Sequence, residues 1–244
     1  MNLILSTARN TVKATLPAQN APPVPGYLLW NDANDVNGNN TNPANSTALS
    51  TWVDKSVGNN ALQSTGADQP LFKTNIQNGK PGVLFNGSTT LMVGNVVSSN
   101  LIHTMFVAGS SLANAAYNFF SNGDTQTNGF AIGAYNPGTK EDGLRYFGAP
   151  GDKYDGPITV APCRMTGSWD GTTSAFYLNG TSQTITNATA APLTPTLYYV
   201  LGNVFLNNGS KLNGYIFEVI YYPFLLSTAQ RQDVDSYLSV KWSI

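Results

Sequence analysis

The chain has 244 residues, of which 41 % are hydrophobic and only 10 % charged, and its formal net charge is −1. That length suffices for one substantial core, and all-β sandwiches of this size are commonly single domains. The 12 Lys and Arg are scattered without a basic run, which excludes the phosphate-neutralising patch of a nucleic-acid binder, and no apolar run approaches the roughly 18 residues of a helical membrane span.

Residues 1–26 read as an extended, Pro-rich arm. Pro17, Pro22, Pro23 and Pro25 oppose helix and favour extended backbone. Such a segment reads either as a disordered terminus or as an anchor to a partner, and Leu3, Ile4, Leu5, Val12 and Leu16, apolar side chains for which a solvating tail has little use, favour the anchor. Met1–Leu5 lacks the basic start and the cleavage site of a secretory signal, so export by that route is not expected.

The domain proper, residues 27–244, is expected to open with the short strand Tyr27-Leu-Leu-Trp30. A turn-rich insertion follows from Val36 to Pro43, then Trp52-Val-Asp54-Lys-Ser56 and a strand ending Phe85-Asn-Gly87. Leu101–Ser110, Asn118–Ser121 and Gly129–Tyr135 read as strands, the last with glycines that mark a bulge or a close backbone approach. Residues 136–157 are dominated by turn formers and read as a long loop, a place where function concentrates. Val160–Trp169 and Ala175–Leu178 are strands, and Asn179-Gly180 between strand-like runs is a strong hairpin signal. Leu197–Phe205 supplies a further strand.

Tyr215–Tyr222 is apolar on both alternating faces except at Glu218, the pattern of a central strand covered on two sides. Pro223 ends it. Ser227-Thr-Ala-Gln230 has the spacing of a capping box, and Val234, Tyr237, Leu238 and Lys241 or Trp242 recur at helical spacing, so a short helix over residues 228–240 closes the chain.

The C-terminal succession of apolar strand, break and capped helix resembles that of laminin-G-like domains of the concanavalin A-like lectin/glucanase superfamily. The opening Trp30-Asn-Asp32-Ala, the Trp52-Val-Asp54-Lys-Ser56 turn, Phe85-Asn-Gly87, Asp170-Gly171-Thr and Tyr177-Leu-Asn-Gly180 resemble the same family in the same order. The resemblance spans Tyr27 to Ile244 and implies an all-β, two-sheet antiparallel jelly-roll sandwich with one short C-terminal helix. Function does not follow from that fold alone.

The chemistry of a sugar-cleaving member is missing. Retaining hydrolysis needs a pair of carboxylates on one face, whereas the only glutamates, Glu141 and Glu218, have no carboxylate two residues away on a strand. His103, the sole histidine, lies in an apolar strand and reads as a core residue rather than a triad or metal centre. Cys163 has no partner for an internal disulfide and reads as a small buried hydrophobe. A non-catalytic protein is therefore expected. Asp32, Asp35 and Asp54 bring oxygens that suit Ca2+, with turn capping through their own backbone amides as the competing reading; no other cofactor is expected. Glu218 is expected to pair with Lys or Arg or to accept backbone amides. Asp124, Tyr135, Arg145, Tyr146 and Tyr154, in the loop-rich middle, combine flat rings with polar partners as a glycan site requires, whereas Trp30, Trp52, Trp169 and Phe85 read as core.

Sparse charge, abundant Asn, Thr, Ser and Gly, and an apolar arm together suggest a structural protein of a phage virion surface (capsid decoration, head fibre or tail-associated). In that reading the arm holds other virion proteins and the sandwich meets glycans, with homo-oligomerisation an open option. The alternative is a glycan-binding module of a bacterial surface or secreted protein.

Overall fold

The computed structural model describes residues 20–95, 102–113, 117–123, 130–135, 141–146, 153–154, 161–186, 198–204 and 210–244. Its strands are β1 (Leu29–Asp32), β2 (Thr51–Trp52), β3 (Ala61–Leu62), β4 (Leu71–Gln77), β5 (Lys80–Asn86), β6 (Met92–Asn95), β7 (His103–Ser111), β8 (Tyr117–Asn122) and β9 (Phe130–Tyr135). They continue with β10 (Glu141–Tyr146), β11 (Lys153–Tyr154), β12 (Cys163–Trp169), β13 (Ser174–Leu178), β14 (Thr181–Gln183), β15 (Ile185–Thr186), β16 (Tyr198–Leu201) and β17 (Asn213–Tyr222), and α1 (Thr228–Trp242) follows. One sheet runs β14-β13-β12-β7-β17-β5-β4, with β1 also paired to β17; the other runs β10-β9-β8-β16-β6-β3-β2. All pairings within them are antiparallel. The fold is the expected two-sheet sandwich with a single C-terminal α-helix.

Aromatic rings close the space between the sheets. His103 of β7 stacks on Phe130 of the opposite sheet at 4.1 Å between centroids and on Tyr221 at 5.5 Å, and Phe120 stacks on Tyr199 at 5.6 Å. His103 is thus a core ring with no exposed surface, and Cys163 is buried beside the same core. Trp30, Trp52, Trp169 and Phe85 are buried as well.

Strand β17 is central, flanked by β7 and β5. A bulge between Ile216 and Glu218 shifts its register. Such a bulge turns an extra side chain onto one face, and here both Phe217, which stacks on Trp242 at 5.3 Å, and Glu218 meet the helix. The helix starts where the capping box places it: the Ser227 hydroxyl accepts from the Gln230 amide at 3.3 Å, and the Gln230 side chain accepts from the Ser227 amide at 3.0 Å. Val234, Leu238 and Trp242 are fully buried on its inner stripe. Among the described residues no helix is long and apolar enough to cross a membrane.

Three local readings change. The stretch 136–157 is not one loop, because Glu141–Tyr146 forms β10, paired with β9 along its whole length, and Lys153–Tyr154 forms β11 against β15. The first strand begins at Leu29 rather than Tyr27. Pro22 and Val24, placed in the arm by composition, are buried on the domain, where the Val24 carbonyl accepts from the Tyr222 hydroxyl at 2.8 Å. The anchoring residues Leu3, Ile4, Leu5, Val12 and Leu16 lie outside the described residues.

Two turn details follow from sequence chemistry. Asn179 and Gly180 have φ of 51° and 80°, the left-handed pair that a two-residue hairpin between β13 and β14 requires. At Gly133 any Cβ would stand 2.3 Å from the Tyr117 carbonyl oxygen, so the close approach signalled by glycine in β9 is real.

Candidate functional site

The β9–β10 hairpin forms one edge of the seven-stranded sheet, and β11 lies against β10. Arg145 and Tyr146 stand opposite Ala131 and Phe130, and Tyr154 stands opposite Ile185. Those three expected glycan contacts therefore fall on adjoining strands. Tyr135 pairs with Glu141 at the other end of the hairpin, about 17 Å of strand away from Tyr146 at 3.4 Å per residue, so it does not share their position. Asp124 lies outside the described residues.

Asp32 and Asp35, at and just beyond the end of β1, and Asp54, which reaches the Trp30 amide within that strand, all act as acceptors of N–H groups. Asp54 Oδ1 accepts from the Trp30 amide (2.8 Å) and the Ser56 amide (3.0 Å), and Oδ2 from the amides of Val57 (3.2 Å), Gly58 (3.0 Å) and Asn59 (2.9 Å). The Ser56 hydroxyl lies within 2.8 Å of both oxygens. Asp35 Oδ1 accepts from Asn39 and Asn40, and its Oδ2 meets Lys55 Nζ at 2.9 Å. Asp32 Oδ1 accepts from the Asn34 amide, while its Oδ2 stands 2.8 Å from Lys241 Nζ and 3.6 Å from Lys55 Nζ. Turn capping is thus what these carboxylates do. The oxygens that a Ca2+ ion would need are engaged by amides and ammonium groups, and no cluster of three metal-ligating side chains occurs among the described residues.

Glu218, with no exposed surface, is the centre of a polar cluster between β17, β1 and α1. Its Oε1 accepts from Trp30 Nε1 and the Tyr237 hydroxyl, and its Oε2 from Trp242 Nε1 and Lys241 Nζ, at 2.7, 2.7, 2.7 and 2.8 Å. The expected Lys partner is Lys241. Burial, and after it the Asp32 charge, raise the Glu218 pKa, opposed by the Lys241 charge and by the hydrogen bonds from Lys241 and Tyr237. Burial also works against the charge on Lys241, but Glu218 and Asp32 outweigh it and hold that pKa above its ordinary value. Sequence reasoning left these partners unidentified, although one clue was present: a lone carboxylate in an otherwise apolar strand must import its donors from elsewhere.

A second polar group lies along α1. Arg231 sits 3.8 Å above the Tyr177 ring and pairs with Asp235, which also accepts from the Thr166 hydroxyl at 3.0 Å. Arg231 and Asp235, with Arg164, Asn179, Ser236 and Ser239, line an open, polar depression of about 610 Å³.

No family model matches the chain, and no curated protein matches it by sequence. Solved structures do match its fold. Domain 4 of AbnA, a GH43 extracellular arabinanase from Geobacillus stearothermophilus in complex with arabinotriose, superposes with a TM-score of 0.61 at 14 % identity, covering 86 % of this chain and 98 % of that one. Trypanosoma rangeli sialidase in complex with sialic acid gives a TM-score of 0.61 at 14 % identity over 90 % of this chain. The match covers 34 % of the sialidase, so this chain corresponds to about a third of that protein's length. The chain is a β-sandwich similar to domains found in sialidases and in an arabinanase, with the fold and little of the sequence in common.

Proposed function

We propose that this chain is a non-catalytic glycan-binding module of the laminin-G-like type. The observation that carries the reading is the likeness to the arabinanase domain, a complete unit of similar size whose structure holds arabinotriose. The adjoining strands β10 and β11 support it, since they bring Arg145, Tyr146 and Tyr154 to one sheet edge, and tyrosine and arginine are residue types that suit stacking on a sugar and bonding to its hydroxyls. Catalysis is left out because Glu218 is consumed by its four donors and Glu141 begins an edge strand without a second carboxylate two residues on. The similar structures described above come from glycan-processing enzymes, which favours this reading over display on a virion.

Titration calorimetry against arabinotriose, sialyllactose and an array of bacterial surface glycans tests it. At least one oligosaccharide should bind, and Tyr146→Ala or Tyr154→Ala should weaken binding at least tenfold while the melting temperature holds. No binding across the array, or release of reducing ends from any glycan, would refute it.

A further inference from the structure

The cluster beneath α1 contains more than an ion pair needs. Lys241 Nζ, on a side chain only 8 % exposed, lies 2.8 Å from Asp32 Oδ2 and 2.8 Å from Glu218 Oε2. Asp32 and Glu218 are cross-strand partners in β1 and β17. Trp30, Tyr237 and Trp242 surround the three groups and each donates to Glu218. An amine, a carboxyl group and a second carboxylate touching that amine are thus enclosed in an aromatic wall. These are the components of amide formation, with one carboxyl as electrophile and the other as proton carrier.

We propose that Lys241 and Asp32 join in an intramolecular isopeptide bond that staples helix α1 to strand β1, with Glu218 carrying the proton. The Lys241 ammonium passes one proton to Asp32 Oδ2, 2.8 Å away, which leaves a neutral amine beside a neutral carboxyl group. The amine attacks Cγ of Asp32, and the charge that builds on Oδ1 is met by the Asn34 amide, which donates to that atom at 2.9 Å. Glu218, 2.8 Å from the nitrogen, takes the proton that the nitrogen must lose and hands it to Oδ2. The Cγ–Oδ2 bond then breaks, and Oδ2 leaves as water with its two protons. One ammonium and one carboxylate become one amide and one water, and Glu218 returns to its starting form.

Two physical arguments favour the product. Holding the reactants together replaces a bimolecular encounter with an internal step, a gain equivalent to very high effective concentration. Two buried charges also disappear, and burying charge is costly. The new amide N–H can still donate to Glu218, so that carboxylate keeps four donors, while Lys55 retains Asp35 at 2.9 Å. Burial raises the Glu218 pKa and so favours its taking up a proton, against the hold that Glu218 and Asp32 keep on the Lys241 ammonium. The other titratable groups at the cluster are Asp35, Lys55 and Tyr237, and none of them must change charge.

Intact mass spectrometry of the folded, purified full chain, run under denaturing conditions, is the test. The chain should be lighter than its sequence by one water, about 18 Da, and digestion should yield a peptide containing Asp32 joined to one containing Lys241. Lys241→Arg, which keeps a cation in place, and Glu218→Gln should both restore the full sequence mass. Wild-type chain at the full sequence mass would overturn the proposal. So would a water loss mapping to an Asp-Gly pair such as Asp170-Gly171, or a crosslink that persists in Lys241→Arg.

Discussion

Replacing Asp54 by alanine tests whether the Trp52–Asn59 turn is held by a carboxylate acting as a capping centre. In the folded protein its two oxygens receive the amides of Trp30, Ser56, Val57, Gly58 and Asn59, together with the Ser56 hydroxyl. The donors from Ser56 to Asn59 lie in a part-buried loop and can turn to water when the acceptor goes. The Trp30 amide cannot, because Trp30 is 5 % exposed and its strand is fixed by pairing with β17. One buried donor left unsatisfied, plus partial loss of charge-assisted bonds in the loop, amounts to roughly 2–4 kcal/mol. For a domain of this size, that lowers the melting temperature by roughly 5–15 °C. Urea and thermal unfolding followed by tryptophan fluorescence would measure it, with Asp54→Asn, which keeps one acceptor oxygen, expected between the two. An alanine variant within about 0.5 kcal/mol of wild type would show that the turn holds without the carboxylate and would refute the reasoning. EDTA should leave wild-type unfolding unchanged; a loss matching that of the alanine variant would restore Asp32, Asp35 and Asp54 as a cation site.

Two further outcomes follow from the same kind of accounting. The Asp170 carboxylate accepts from the hydroxyls and amides of Thr173 and Thr172, which hold its pKa below the ordinary carboxylate range. A group depressed on folding contributes stability above its unfolded pKa and loses it as pH falls through the folded value. The difference between wild type and Asp170→Ala in urea unfolding should therefore be present at neutral pH and shrink in strong acid; a difference that grows on acidification would refute the assignment. Ser227→Ala removes one half of the capping box at the start of α1 and should cost about 1 kcal/mol, which thermal unfolding would register as a fall of roughly 2–4 °C; no change would mean that packing alone fixes where the helix begins.

Much of the fold was legible because its signals are local. The two-sided apolar run at Tyr215–Tyr222 identified the central strand, Ser227 and Gln230 fixed the helix start, and Asn179-Gly180 marked a hairpin, since period, cap geometry and positive φ each depend on a few neighbouring residues. The core roles of Trp52, Phe85, His103 and Cys163 likewise followed from apolar neighbours along the strand. Strand β10 escaped notice because Glu141-Asp-Gly-Leu-Arg-Tyr146 carries turn formers, and it becomes a strand by pairing with β9, a tertiary effect that overrides propensity. Pro22 and Val24 were assigned to the arm because proline density reports backbone preference and says nothing of what the segment packs against. Above all, the lone Glu218 in an apolar strand announced that a partner must exist, but not which one. Trp30, Tyr237, Lys241 and Trp242 lie up to 188 residues from it in sequence, and only the antiparallel pairing of β1 with β17 and the docking of α1 across them bring those four donors within bonding distance of its carboxylate and set Asp32 against Lys241.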